Sequence, residues 1–222
     1  MLKFIRTRFF ILISLLGSCF IFAQEVDKDT PNWDNQLYLS DKLTWASPRW
    51  KYSGEIQVRL IDNMQSLEQW FVEGVASYQF SEKIEFTPDL RISIKQNEVV
   101  FRPGFGMFYK FYIDDFQFVN QVKWQIDFDN HGNSYNAARY VIVINKQFNE
   151  KLIGSFLAGA LYRWEDDFRG VELIRIGPGF TYIFNNRHSL NFNYFLSGVH
   201  NGQDFDWAGI PFIQLVINVN KD

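Results

Sequence analysis

The chain has 222 residues and a net charge of −3, with 22 basic residues against 25 acidic ones. Both signs are interspersed along it, which excludes the one-signed basic face that a nucleic-acid partner requires. Its hydrophobic fraction of 47% is ordinary for a soluble protein, but 18% of the residues are aromatic, 24 of them Phe, and past residue 23 no apolar run is long enough for a membrane helix.

Residues 1–23 read as a secretory signal: Lys3, Arg6 and Arg8 form a basic start, 9–16 an apolar core, and Ala23 a small residue at the cleavage site before Gln24. The single cysteine, Cys19, lies in this segment, so no disulfide framework is left after cleavage. Leu16-Gly17-Ser18-Cys19 also resembles a lipoprotein box, although Phe20, Ile21 and Phe22 stay apolar where such a sequence turns polar. Residues 24–33 are polar and contain Pro31; they are expected to be a periplasmic lead-in, with a barrel over 34–222.

Beyond the lead-in, alternation of period two dominates. A first strand is legible over 33–45, with Leu37, Leu39, Leu43 and Trp45 on one face. The clearest is Trp50–Ile61, where Trp50, Tyr52, Gly54, Ile56, Val58 and Leu60 alternate with Lys51, Ser53, Glu55, Gln57 and Arg59. Further strands are expected over 70–80, 84–95, 101–113, 116–128, 135–148, 152–164, 172–184, 188–199 and 209–219. Short turns at 81–83, 114–115, 149–151 and 185–187 alternate with longer polar stretches at 62–69, 129–134, 165–171 and 200–208. This is the asymmetry of outer-membrane barrels, with short periplasmic turns and longer extracellular loops.

The aromatics repeat with the hairpins. Tyr78 and Phe80, Tyr109 and Phe111, Tyr182 and Phe184 each lead into a short turn on the outward face, as an interfacial girdle would. A soluble sandwich or lipocalin-like barrel also alternates, but it would have to pack all these rings into a narrow interior. The sequence therefore predicts an all-β transmembrane antiparallel β-barrel of 10–12 strands. Eleven strands are legible, and since single-chain bacterial barrels favour even numbers, ten or twelve wall strands are expected. Pro88, Pro103, Pro178 and Pro211 fall inside strands, and Gly104, Gly177 and Gly179 beside two of them suggest bulges or kinks.

The signal ending in Phe-Ala-Gln, the Trp-bearing first strand, Glu55-x-Gln57-x-Arg59, and Gly74-x-x-x-Tyr78-x-Phe80 before a tight turn resemble an uncharacterised outer-membrane barrel family, domain of unknown function 2490. The resemblance implies a barrel in the bacterial outer membrane and no particular activity. The chain departs from the usual aromatic end of a last strand, closing on Val219-Asn220-Lys221-Asp222.

Few residues point to chemistry. His188 and Ser189 are adjacent in a strand and face opposite ways, so they cannot form the nucleophile and base of a barrel lipase. His131 and Ser134 lack a third group, and His200 lacks a serine. The Asp127–Ser134 stretch, DFDNHGNS, begins like a calcium loop, but Ala138 stands where the bidentate acid belongs. No catalytic residue, metal site or cofactor is expected. The inward residues remain by elimination: Glu55, Arg59, Glu73, Arg91, Arg102, Lys123, Asp127, Arg139 and Arg175 are expected to line the lumen. Turn register places Glu73 opposite Arg91 and Arg102 opposite Asp127, so ion pairs should largely occlude it. The expected role is structural or that of a small passive channel, with a lipid-acting barrel enzyme or a surface adhesin as alternatives. Expected partners are outer-membrane lipid, lipopolysaccharide and the barrel-assembly machinery.

Overall fold

A computed structural model describes residues 33–165 and 168–219 of the chain. The expected signal segment, Cys19 and most of the lead-in lie outside the described residues. The strands are β1 Trp33–Asn35, β2 Leu37–Ala46, β3 Trp50–Ile61, β4 Ser66–Gln79, β5 Ile84–Lys95 and β6 Val99–Ile113. They continue as β7 Phe116–Asp129, β8 Ser134–Asn149, β9 Leu152–Trp164, β10 Arg169–Asn185, β11 His188–His200 and β12 Phe205–Asn218.

From β2 to β12 each strand pairs antiparallel with the next, and β12 then pairs with β2, closing an eleven-stranded barrel. The even count expected from other barrels does not hold here. With an odd number the first and last strands run the same way, so the seam is parallel, from Phe212 beside Tyr38 to Asn218 beside Thr44. Parallel pairing is slightly weaker per residue than antiparallel, and this seam carries further bonds. The Gln214 amide donates to Ser40 Oγ at 3.2 Å, and the Val219 N–H donates to the Thr44 carbonyl at 2.8 Å. Short β1 extends the same parallel contact along β12, Trp33 beside Trp207. Closure leaves neither long edge of the sheet open to another chain.

Asp34 on β1 has a second job. Its carboxylate accepts from the N–H groups of Asp62 and Asn63, at 3.3 and 2.9 Å, in the turn between β3 and β4. That turn has three successive non-glycine residues in the left-handed region, Asp62, Asn63 and Met64, with φ of 53°, 54° and 67°. Asp and Asn tolerate this conformation through their short polar side chains; Met does not.

The strands run further than the apolar alternation alone suggests. β4 begins at Ser66, β10 at Arg169 and β12 at Phe205, so the polar stretches shrink to connections at 62–65, 165–168 and 201–204. The backbone still pairs there, where Ser66, Glu68, Gln69, Arg169 and Asp206 stand among exposed Leu67, Val171 and Trp207. The prolines do not produce the expected bulges. Pro88 stands opposite Phe105, Pro178 opposite Phe156 and Pro211 opposite Tyr194 in unshifted ladders. The register shifts lie elsewhere, between Arg59 and Leu60, Gln147 and Asn149, Val171 and Leu173, and Ile183 and Asn185.

The two faces invert a soluble fold. Phe80 (67% exposed), Phe148 (63%) and Phe184 (51%) stand on the outside near the short turns, with Trp45, Trp50 and Tyr52 also exposed. Lys123 (3%) and Asp127 (5%) are among the least exposed side chains. Rings outside and charges within suit a hydrocarbon solvent and no other. One outward position breaks the pattern. Asp41 sits between Ile56 and Leu215 in the ladders, on the face carrying Leu39, Leu43 and Trp45.

Candidate functional site: the barrel lumen

Every charged residue expected inside takes an inward place in the register, because the alternation of each strand is unbroken through the membrane band. Glu73 lies opposite Arg91, and their side chains meet at 3.1 Å. Arg102 and Asp127 form a two-pronged guanidinium–carboxylate pair on β6 and β7, the geometry that gives such pairs their strength and direction. Nearer the short turns Lys110 bonds Glu85, and Lys42 lies 3.6 Å from Glu55. Near the opposite rim Arg163 reaches Glu172 at 2.8 Å, where the Val171/Leu173 shift turns the acid inward.

Lys123 is the centre of this network. Its ammonium contacts Asp89 Oδ1 at 2.6 Å and Glu73 Oε1 at 3.7 Å. To do so it crosses from β7 to β5 over the intervening strand β6, which presents Gly104 and Gly106 at that height. A Cβ on Gly104 would stand 2.5 Å from Lys123 Cε and 2.7 Å from Asp89 Oδ1. Gly104, read from the sequence as part of a bulge, is instead the gap through which the lysine reaches its acid.

The girdle residues take the outward side of the same ladders. Tyr109, Phe80, Tyr182 and Phe184 are exposed, while Tyr78 and Phe111 are half-buried beside neighbouring rings, Trp50 tilted at 4.9 Å and Phe118 stacked at 5.0 Å. Trp45 and Tyr52 stack at 5.5 Å nearby, and Trp50 lies 5.9 Å from Tyr52, so the rings of β2, β3 and β4 form one group at the short-turn end.

The lumen also contains aromatic side chains that the sequence reading did not single out. Phe71 is 1% exposed and lies between two guanidiniums, Arg91 at 4.0 Å and Arg59 at 5.3 Å from its ring centre. Arg59 also covers Tyr38 at 4.5 Å, and Arg175 lies 5.5 Å from the same ring and 5.6 Å from Phe195. Cations and rings thus alternate around the interior, each pair contributing about 0.5–2 kcal/mol as water is excluded. Tyr38 and Phe195 join Ala208 and Ile210 in a buried apolar cluster against Leu157 and Phe212. One wall of the lumen, β4 to β8, is therefore dense in charge, whereas the other, β9 to β12 with β2, mixes this apolar cluster with a neutral polar chain running from Thr181 through Asn191 and Gln214 to Ser40. The sequence signal was available: Phe71 follows Trp70 at inward parity, where an isolated ring needs a partner.

The histidines lie at the rims. The His131 backbone N–H donates to Asp129 Oδ1 at 2.8 Å, His188 Nδ1 lies 3.0 Å from Asn185 Oδ1, and the His200 ring lies 5.2 and 5.5 Å from Phe168 and Phe205. Among the described residues, none groups three His, Cys, Asp or Glu side chains in a way that could hold a metal ion.

A closed sheet with an aromatic exterior and an ion-paired interior defines a transmembrane β-barrel of porin type. The chain belongs to the family described as putative MetA-pathway of phenol degradation, whose model matches residues 85–203; the domain-of-unknown-function group named from the motifs has a different description. No curated protein matches the sequence. Among solved structures it is similar to the NanC porin, at 11% identity and a TM-score of 0.52, covering 78% of this chain and 93% of that one. It is also similar to the KdgM porin in complex with disordered oligogalacturonate, at 14% identity and a TM-score of 0.47, covering 76% and 91%. At such identities the likeness is one of fold.

Proposed function

We propose that this chain is a bacterial outer-membrane protein that acts as a narrow passive channel and carries out no covalent chemistry. The observation that carries this reading is the interior itself. Most of its charged side chains are spent on one another, Glu73 on Arg91, Lys123 on Asp89 and Arg102 on Asp127, with their heads shielded from water. Braced in this way, an eleven-stranded barrel leaves room for water and small solutes only. The fold likeness to porins supports the same reading. The apolar belt would be solvated by outer-membrane lipid, with lipopolysaccharide around the outer rim and the barrel-assembly machinery inserting the chain.

The test is single-channel recording on the purified full-length protein in planar bilayers. Small discrete steps are expected, rising when Arg91→Ala or Arg102→Ala clears part of the section. Steps as large as those of an open porin, or no steps in wild type and both variants, would refute it. Because the family is described by phenol degradation, small phenols are the first neutral solutes to try in liposome swelling.

A further inference from the structure

Three arginines of the lumen, Arg59, Arg139 and Arg175, have no carboxylate within ion-pair distance among the described residues, whereas the other lumen cations discussed above each have one. Each guanidinium has five N–H donors. Arg59 donates one long hydrogen bond, 3.5 Å to Gln57 Oε1, Arg175 one of 3.5 Å to Ser197 Oγ, and Arg139 one of 3.3 Å to Gln121 Oε1. The Nε of all three is buried and unbonded, as is that of the ion-paired Arg91 and Arg163, so what sets the three apart is the missing carboxylate. Glu68, in the bulge of β4, acts on Arg59 from beyond ion-pair range, and Arg175 and Arg102 repel it. A wall that carefully pairs its other cations has left these donors open.

We infer that Arg59 and Arg175 form an anion-binding constriction whose preferred occupant is a small carboxylate. Their guanidinium carbons lie 4.5 and 5.5 Å from one Tyr38 ring centre, and the two like charges repel each other there, so an anion seated beside that ring would relieve the repulsion. Arg59 is placed by direct cross-strand pairing with Tyr38, and Arg175 by pairing with Ser197. The rings of Phe71, Tyr38 and Phe195 hold the guanidinium faces by cation–π contact and leave their N–H edges for a ligand. Guanidinium matches the planar, two-oxygen edge of a carboxylate better than it matches a spherical halide. Arg139, on the charged wall, adds a third positive charge without a direct ion pair, although Glu73 and Asp89 act on it from further off, so the passage as a whole favours anions over cations.

This inference rests on the channel reading for its electrical test only, and a second test is independent of conduction. In a KCl gradient across a planar bilayer, the wild-type zero-current potential should lie on the chloride side, with chloride favoured over potassium by about threefold or more. Arg59→Gln with Arg175→Gln should bring that ratio close to one, and the pair of Lys substitutions, which keeps the charge, should retain it. In detergent micelles, acetate should raise the urea midpoint of the wild type above its value in chloride at equal ionic strength. The Gln pair should show no difference between the salts. Conduction without anion preference, together with equal midpoints in the two salts, would overturn the constriction and leave the channel standing. An acetate effect that survives the Gln pair would likewise overturn it. Absence of conduction with an acetate effect lost in the Gln pair would refute the channel and support the site.

Discussion

Lys123→Met removes one charge from the centre of the lumen while keeping nearly the same length and volume. Asp89 then loses the ammonium at 2.6 Å, and its carboxylate, 4% exposed, has no other cation within ion-pair distance among the described residues, Arg139 acting on it only from further off. Glu73 loses a weaker contact at 3.7 Å but retains Arg91 at 3.1 Å, so the cost falls mainly on Asp89. Breaking a buried pair from one side costs about 3–5 kcal/mol, against about 0–1 kcal/mol for a pair at an exposed surface. The wild type, Lys123→Met, Asp89→Leu and the double variant make a complete cycle. Removing both charges leaves no orphan, so the double variant should fall within about 1 kcal/mol of wild type or exceed it. The assay is urea unfolding in lipid vesicles, followed by tryptophan fluorescence and by the gel-mobility shift of the folded barrel. A loss below about 1 kcal/mol in Lys123→Met would show that water screens the pair and that the lumen is wet at its centre. A double variant as unstable as the single would show that the ammonium serves packing and not charge.

Three further outcomes follow from separate parts of the barrel. Gly104→Ala places a methyl group against Lys123 Cε and Asp89 Oδ1, so it should cost about 1–3 kcal/mol in the same assay. Asp41→Leu takes a carboxylate off the lipid-facing side of the parallel seam and should stabilise the barrel in vesicles by about 1–2 kcal/mol, less than the figure for a midplane Lys or Arg; no gain would mean that Asp41 lies outside the hydrocarbon. Asp34→Ala removes the acceptor for two N–H groups of the 62–65 turn and should cost about 1–2 kcal/mol, with faster proteolysis there, whereas Met64→Gly should relieve the left-handed strain and slow it.

Much of this protein was legible along the chain because a strand in a bilayer wall obeys two local rules. Side chains alternate between lipid and lumen, and every backbone group pairs with the next strand. Those rules suffice for β3, β5 and β9, whose ends fall where the alternation starts and stops. With turn centres at Glu82 and between Asp114 and Asp115, they also put Glu73 beside Arg91 and Arg102 beside Asp127, since register in a hairpin is a property of one turn.

What reaches beyond a hairpin was decided by closure. The pairing of β12 with β2 joins the two ends of the wall, and no local signal states whether the first and last strands meet parallel or admit another between them. The contact of Lys123 with Asp89 spans two strands and exists because Gly104 lacks a side chain, so it belongs to neither hairpin alone. The stacking of Arg59 and Arg175 on Tyr38 brings β3 and β10 to one ring on β2, across a distance set by barrel curvature. Alternation along a strand is a one-dimensional property and can be read from the residues in order. Which inward side chains share the narrow interior depends on the curvature and tilt of the closed wall, and these arise only when all eleven strands are paired.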